Sequence, residues 1–279
     1  MQPCSSYLIC ATPRSGSTLL CEALINTGIA GRPEEYFEAL IETGRPRQPK
    51  DYFKNLKNPE TVLQLLGDYS RIDDEPVRWS PANVPSYADY LDKVIEEGTT
   101  PNGVFGAKVM WGYFGDFISH LRQIPAYREI AVPDLLAAIF PNLHYIRVIR
   151  RDKVRQAVSL WKAIQTWTWR KDESSQLAGK SSSRELIFNF GAIDHLLQRI
   201  MVQEAAWQEY FASCGIEPFS VVYEELASAY EATALKILHY LDISIPERMV
   251  FAERRMKAQA NALSEEWVQR YYELKRYAE

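Results

Sequence analysis

The stretch Ala11-Thr-Pro-Arg-Ser-Gly-Ser-Thr-Leu-Leu20 contains a turn between a predicted strand and a predicted helix. It follows the short apolar run Tyr7–Ala11, which has the composition of a strand, and it leads into Leu19–Ile25, whose apolar spacing is helical. A strand, a turn with glycine and hydroxyl side chains, and a helix, in this order, are typical of a loop that binds phosphate through backbone N–H groups and the helix dipole. The stretch therefore predicts an anion-binding loop.

The loop departs from the nucleotide triphosphatase pattern G-x-x-x-x-G-K-[ST]. Position 17 is serine instead of lysine, and the positive charge lies inside the loop at Arg14. No aspartate that would support Mg²⁺ is evident at the end of a strand. The loop suits an anion that is neither a triphosphate nor bound through a metal ion, although a serine-rich turn with an incidental arginine is the plain alternative. The residues predicted to hold the anion are Pro13, Arg14, Ser15, Gly16, Ser17 and Thr18.

Further segments have the composition of short buried strands, namely Val104–Val109, Leu143–Ile149 and Phe219–Tyr223. Long helical patterns separate them, such as the apolar face that runs from Ile193 to Phe211. Strands that alternate with long helices predict an α/β protein, here a P-loop-like three-layer fold with a mostly parallel central sheet flanked by helices. We expect one domain over residues 1–279, with the ligand at the carboxyl ends of the strands.

Composition excludes several classes of protein. The 279 residues carry a net charge of −4, which argues against a general nucleic-acid binder. No apolar run is long enough for a membrane span, and the start of the chain lacks a signal-peptide pattern, so a cytoplasmic location is expected. Cysteines at positions 4, 10, 21 and 214 form no C-x-x-C pair, and the histidines have no second ligand at metal spacing. No metal site is expected.

A second candidate phosphate site follows the strand Leu143–Ile149. Arg151 comes just after this strand, and Ser159 follows eight residues later, on a helix expected to begin near Asp152. An arginine offers a planar fork for bidentate contact with phosphate, and a serine adds a hydroxyl. The spacing alone is a weak signal, and it gains weight only beside the first loop.

These motifs together resemble the sulfotransferase family that uses 3′-phosphoadenylyl sulfate (PAPS). The resemblance implies that the first loop binds the 5′-phosphosulfate, that Arg151 and Ser159 bind the 3′-phosphate, and that Tyr223 of the Tyr-Glu-Glu-Leu segment lies near the adenine. It also implies adenosine 3′,5′-bisphosphate as product and a homodimer. Within the family, blocks such as "TGIAGRPEEYF" and "RRDKVRQAVSLWKA" are similar to the bacterial trehalose 2-sulfotransferase group. The segment 113–136 matches this group poorly, which leaves the acceptor open.

Two residues are candidates for the chemistry of transfer, together with Arg14. Gly28, Gly31 and Pro33 turn the chain after the first helix, which is expected to bring Glu34 and Glu35 near the loop. The resemblance assigns the second glutamate, Glu35, as general base. Lys108, at the end of a central strand, is expected to stabilise the transferred sulfuryl group. A solvated glutamate and an ordinary edge lysine are the plain alternatives.

The acceptor is expected to lie among aromatic and charged side chains near the same edge. Aromatic rings suit sugar faces, but an aromatic stripe on a helix is more often core, which is the interpretation favoured for Trp161. The candidate acceptor residues are Glu34, Tyr36, Phe37, Trp111 and Arg170.

The function predicted from sequence is therefore metal-free, in-line transfer of a sulfuryl group from PAPS to a carbohydrate hydroxyl, with trehalose or a related glycoside as the candidate acceptor. A small carbohydrate or glycolipid acceptor is the expected partner. The alternatives are a P-loop nucleotide kinase and a non-catalytic protein that binds adenosine 3′,5′-bisphosphate. The serine at position 17 argues against the kinase, and Glu35 with Lys108 favours catalysis over binding alone.

Overall fold

The computed structural model of the protein describes residues 2–66, 79–166, 185–256 and 262–278. In this part of the chain the strands are β1 (Ser5–Ala11), β2 (Val104–Met110), β3 (Leu143–Ile149) and β4 (Phe219–Val222). The helices are α1 (Ser17–Ile25), α2 (Glu60–Leu66), α3 (Tyr87–Gly98), α4 (Trp111–Leu121), α5 (Val132–Ile139), α6 (Lys153–Thr166), α7 (Phe190–Ser213), α8 (Tyr223–Ser228), α9 (Tyr230–Tyr240) and α10 (Ala262–Ala278). All of the predicted strands are confirmed to within two residues.

The strands form a sheet in the order β2-β1-β3-β4, and each neighbouring pair is parallel. The predicted α/β class with a parallel central sheet flanked by helices is confirmed. The chain leaves β1 toward β2 on one side and reaches β3 and β4 on the other. The order therefore reverses between β1 and β3, and ligands of open α/β sheets bind outside the carboxyl ends of the strands at such a point.

The chain divides into two compact units. Unit 1 contains Met1–Pro46, Val77–Arg151 and Gln203–Arg254, and unit 2 contains Arg47–Pro76, Asp152–Val202 and Arg255–Glu279. The whole sheet belongs to unit 1. The expectation of a single domain over residues 1–279 stays a prediction.

The core of unit 1 is the sheet and the helices packed on it. β1 and β2 consist largely of apolar residues and are buried along nearly their whole length, as expected for parallel strands covered on both faces. Helices α3 and α4 contact β2, and α9 contacts β4. Trp207 and Phe211, at the end of the predicted apolar face of α7, are buried in this unit. The carboxyl edge of this packed sheet supports the loops that follow each strand.

The core of unit 2 is an aromatic and aliphatic cluster. Trp161 on α6 is fully buried, packs edge-on against Phe53, and donates its indole N–H to the carbonyl of Ile187 at 2.8 Å. Trp267 on α10 and Leu196 on α7 belong to the same cluster. The prediction that Trp161 is a core residue is confirmed.

Candidate active site

The loop between β1 and α1 has the backbone of an anion site. Gly16 is the N-cap of α1 with φ 96°, and no side chain caps the helix. The N–H groups of the first turn therefore point out of the helix with the positive end of its dipole behind them. The Ser15 hydroxyl is buried and has no hydrogen-bond partner among the described residues. Because buried hydroxyls are nearly always paired, this one fits a donor to a bound anion.

Lys108 and Glu35 meet beside this loop. The Lys108 ammonium lies 2.6 Å from one carboxylate oxygen of Glu35 and donates to the Thr18 hydroxyl, in the first turn of α1, at 3.3 Å. The Lys108 side chain is only 4% exposed, whereas that of Glu35 is 24% exposed. The structure thus brings together three residues that the sequence singled out, at the start of a helix and at the carboxyl edge of β2.

The backbone geometry that delivers Glu35 depends on the turn before it. The Lys108 N–H donates to the Glu34 carbonyl at 2.9 Å, so that Glu34 pairs with Ala107 as a short parallel bridge along β2. Gly31 has φ 73°, and a Cβ there would lie 2.8 Å from the Gly106 backbone nitrogen. Only glycine lets the chain lie this close to β2. The close approach of the chain to β2 at Gly31 therefore explains how the glutamate pair is brought toward the loop.

Tyr113 completes the surroundings of Glu35 and was missed by the sequence analysis. Its hydroxyl lies 3.0 Å from the second carboxylate oxygen of Glu35 and 3.3 Å from the Lys108 carbonyl. Burial first, and then the negative charge of Glu35, raise the pKa of Tyr113 well above its usual value, so that the phenol keeps its proton. The sequence feature that could have identified Tyr113 is its position near the start of α4, three residues after the end of β2.

The two glutamates of the pair have different partners. Glu34 accepts a hydrogen bond from the Trp79 indole N–H at 3.1 Å, and the Trp79 ring packs edge-on against Tyr36 at 4.6 Å between centroids. Trp79 is half-buried and was not predicted. The structure places Glu34 and Glu35 in separate contacts, and only Glu35 lies against Lys108.

The three aromatic residues predicted to contact the acceptor have ring partners within unit 1, and their contact with an acceptor stays a prediction. Tyr36 is 1% and Phe37 2% exposed. The Tyr36 hydroxyl donates to the Arg32 carbonyl at 2.6 Å, and Phe37 stacks on Phe117 at 4.2 Å. In this structure neither ring offers a face to a sugar, because the turn that delivers Glu35 points its neighbours inward. Trp111 is half-buried, at the start of α4, with Phe114 and Trp207 at 5.5 and 5.0 Å.

Two arginines follow β3, and they have different environments. The Arg151 side chain is 62% exposed and forms an ion pair with Glu225, and its backbone N–H donates to the Glu224 carboxylate. Arg150 is only 7% exposed and was not predicted. It donates to the Arg14 carbonyl at 3.3 Å and lies 4.6 Å from the centre of the Tyr223 ring. The two arginines are adjacent in the sequence, and it is the burial of their side chains in the structure that distinguishes them.

The remaining predicted residues lie elsewhere or outside the described residues. Ser159 is on α6 in unit 2, whereas Arg151 belongs to unit 1, and their joint contact with a phosphate stays a prediction. Arg170 falls outside the described residues.

Neither a cluster of metal ligands nor a membrane-spanning helix is present among the described residues. In the ranges given above, no group of three or more His, Cys, Asp or Glu side chains is arranged to hold a metal ion. None of the helices in these ranges has both the length and the apolar character required to cross a bilayer.

Comparison with known proteins gives a consistent answer. A sequence profile described as Stf0 sulphotransferase matches residues 6–273. A protein named trehalose 2-sulfotransferase from Mycobacterium tuberculosis is 32% identical over 266 residues, which cover 95% of this chain and 93% of the relative. A protein of the same name from Mycolicibacterium smegmatis is 32% identical over 273 residues, covering 96% and 94%.

Solved structures that resemble this one include a sulfotransferase from Alicyclobacillus acidocaldarius. It is 13% identical, with a TM-score of 0.45, over 98% of this chain and 96% of that one. The match of the family profile and the identity to the curated relatives show that the chain belongs to the Stf0 sulfotransferase family, which confirms the resemblance stated above.

Proposed function

We propose that this Stf0 sulfotransferase moves a sulfuryl group from PAPS to a carbohydrate hydroxyl, and that trehalose or a related glycoside is the acceptor. The observation that carries the proposal is the contact of Lys108 with both Glu35, at 2.6 Å, and Thr18, at 3.3 Å. It puts a carboxylate base and a buried cation next to the start of an anion-binding helix. Sulfuryl transfer to an alcohol requires these three parts.

The donor side of the proposal rests on the loop. Backbone N–H groups at the start of α1 and the hydroxyls of Ser15, Ser17 and Thr18 are to hold the phosphosulfate, and Arg14 is to supply a nearby positive charge. The buried, unpaired hydroxyl of Ser15 supports an anion at this place. Arg151 and Ser159 are proposed to hold the 3′-phosphate, and Tyr223 to lie on the nucleotide side of the loop.

The transfer itself is proposed to be in-line and independent of a metal ion. The Glu35 carboxylate accepts the proton of the acceptor hydroxyl, and the hydroxyl oxygen forms a new bond to sulfur. The bond between sulfur and the 5′-phosphate oxygen breaks, and its electron pair leaves with adenosine 3′,5′-bisphosphate. Lys108 and Arg14 stabilise the charge on the transferring and leaving oxygens. Tyr113 holds the second carboxylate oxygen and thereby orients the base.

The acceptor is proposed from the relatives. Two proteins named trehalose 2-sulfotransferase match this chain along almost all of its length, which favours trehalose as the first acceptor to test. Glu34 and Trp79, which contact each other on the side of Tyr36, are the proposed polar contacts to the sugar. A cytoplasmic location and a homodimer also stay predictions of this proposal.

The test of the proposed reaction uses the purified protein with PAPS and trehalose. We expect a sulfated disaccharide and an equal amount of adenosine 3′,5′-bisphosphate by mass spectrometry. Transfer to other disaccharides or glycolipids but not to trehalose would correct the acceptor. Absence of transfer to all of them, together with thermal stabilisation by ATP–Mg²⁺ and not by the bisphosphate, would refute the reaction.

The role of Glu35 is tested by Glu35→Gln, with Glu42→Gln as a matched control. Glu42 is an exposed carboxylate seven residues further along the same segment. We expect Glu35→Gln to lower kcat by about 10²- to 10⁴-fold, the usual contribution of a general base, and to keep bisphosphate binding. At about 100 times its Kd the bisphosphate should stabilise either variant by about 2.7 kcal/mol. Unchanged turnover of Glu35→Gln would remove Glu35 as the base.

A further inference from the structure

Arg150 is a buried arginine that contacts the anion-binding loop. It follows the last residue of β3 and is 7% exposed. Its Nη1 donates to the Arg14 carbonyl at 3.3 Å, and its guanidinium carbon lies 4.6 Å from the centre of the Tyr223 ring. Burial of a permanently charged side chain is costly unless the group is well paired, and the contacts with a loop carbonyl and an aromatic ring are among those that stabilise it here.

The Tyr223 ring in turn lies against the loop. A Cβ built on Gly16 would be 3.1 Å from Cγ and 3.3 Å from Cβ of Tyr223, and closer still to Cδ2. The ring therefore touches the backbone of the loop at the residue that caps α1. Arg150, Tyr223 and Gly16 thus connect the carboxyl ends of β3, β4 and β1, and we call these three residues the brace.

The loop has a conformation that needs such support. Arg14 has φ 63° and Gly16 has φ 96°, so two of three consecutive residues have left-handed backbone. A residue other than glycine rarely adopts this conformation, and it persists where surrounding structure holds it. The hydrogen bond from Arg150 reaches the carbonyl of Arg14, the strained residue itself.

We propose that Arg150 is a positioning residue, which acts through the Arg14 carbonyl and the Tyr223 ring to hold the loop ready for its anion. Its buried positive charge also lies next to the loop, where it favours a nearby anion. The proposal rests on the proposed function in one respect only, that the anion is the phosphosulfate of PAPS. The shape of the brace is independent of that assignment.

The first test measures the loop without any ligand. We expect hydrogen exchange at the amides of residues 15–18 to be about tenfold faster in Arg150→Gln and in Tyr223→Leu than in the wild type, since tenfold corresponds to the loss of one cation–π or hydrogen-bond contact. Tyr223→Phe retains the ring and should retain the protection. Unchanged exchange in Arg150→Gln and Tyr223→Leu would overturn the proposal.

The second test measures the consequence for binding by calorimetry with adenosine 3′,5′-bisphosphate. We expect Arg150→Gln to raise the Kd by about tenfold or more, and the KM for PAPS to rise more than kcat falls. Arg150→Lys keeps the charge but loses the planar fork, so it should recover only part of the affinity. Full recovery by lysine would show that charge alone matters and would overturn the brace.

A matched control is available in the same unit. Arg254 lies 5.1 Å from the centre of the Tyr230 ring and donates to the Ala227 carbonyl at 3.4 Å, so it has the same two kinds of contact. Tyr230 accepts from Asn26, the C-cap of the nine-residue α1, about 14 Å from the loop. Arg254→Gln should leave loop exchange and Kd unchanged, and an effect as large as that of Arg150→Gln would overturn the local role of Arg150.

The two proposals fail in distinguishable ways. If the wild type binds no bisphosphate and transfers no sulfuryl group, the proposed function is wrong, and loop exchange in the ligand-free protein still decides the brace. If the wild type is active and Arg150→Gln changes neither exchange nor Kd, the brace alone is wrong. Should Arg150→Gln fail to fold, Arg150→Lys and Tyr223→Leu carry the same comparison.

Discussion

The ion pair between Lys108 and Glu35 should respond unequally to removal of its two members. The lysine side chain is almost completely buried, at 4% exposure, whereas the glutamate reaches solvent, at 24%. Glu35→Gln leaves a buried ammonium without its counter-ion. Lys108→Met fills the lysine volume with an apolar side chain and leaves a carboxylate that water and the Tyr113 hydroxyl can still solvate. We therefore expect Glu35→Gln to be the more destabilising substitution.

The size of the effect follows from the geometry. Unit charges 2.6 Å apart attract by about 6 kcal/mol at an effective dielectric constant of about 20. Desolvation of both groups offsets most of this gain, and breaking a fully buried pair typically costs about 3–5 kcal/mol. Because Glu35 is partly solvated, we expect about 2–4 kcal/mol for Glu35→Gln. For Lys108→Met we expect about 1 kcal/mol or less.

The assay is urea unfolding of the two single variants and the double variant at pH 7. The double variant should be more stable than Glu35→Gln alone, since it removes the stranded charge. Glu225→Gln, which breaks the exposed pair with Arg151, is the surface control and should cost about 0–1 kcal/mol. The reasoning is refuted if Lys108→Met costs more than Glu35→Gln, or if the two losses simply add.

Three further predictions concern other residues of unit 1. Burial lowers the pKa of His120, so below about pH 6.5 the unfolded chain binds a proton more readily than the folded protein does. His120 should therefore not reduce the free energy of unfolding above about pH 6.5, and should reduce it below that pH by at most about 1.4 kcal/mol per pH unit. Urea unfolding at several pH values measures this, and His120→Phe should remove that part of the decline. Gly16→Ala should destabilise by about 2–4 kcal/mol, because a Cβ at φ 96° would collide with the Tyr223 ring, and a variant of wild-type stability in urea would contradict this. Tyr113→Phe removes a hydrogen bond from the Glu35 carboxylate, so kcat should fall by about tenfold while the Kd for adenosine 3′,5′-bisphosphate stays unchanged, and an unchanged kcat would show that the hydroxyl does not orient the base.

The sequence was sufficient to predict most of the fold. The composition of the runs Tyr7–Ala11 and Leu143–Ile149 identified strands because fully buried parallel strands are continuous apolar segments. The turn after Ala11 identified the helix α1, since glycine and hydroxyls before an apolar helical pattern are a local signal. The strand order was not predicted. It depends on which strands pair, and pairing of residues far apart in the chain leaves no local pattern.

The candidate site was only partly predictable. Lys108, Glu35 and the loop were identified, because each has either a local motif or a place at the end of a strand. Tyr113 and Arg150 were missed, because their importance comes from contacts with Glu35 and Arg14 across the sheet edge. Tyr36 and Phe37 were assigned to the acceptor on chemical type alone, and their burial depends on how the turn packs on β2.

Patterns within the sequence were enough to predict the kind of protein: an α/β chain with a loop suited to an anion, a serine in place of the nucleotide-binding lysine, and the motifs of a sulfotransferase. Local propensity and spacing act over a few residues, and these features are encoded at that range. Which side chains meet depends instead on how elements far apart in the chain pack together. The parallel sheet places the carboxyl ends of β1, β2, β3 and β4 at one edge. At this edge Lys108 forms an ion pair with Glu35, and Arg150 rather than Arg151 donates to the Arg14 carbonyl in the loop.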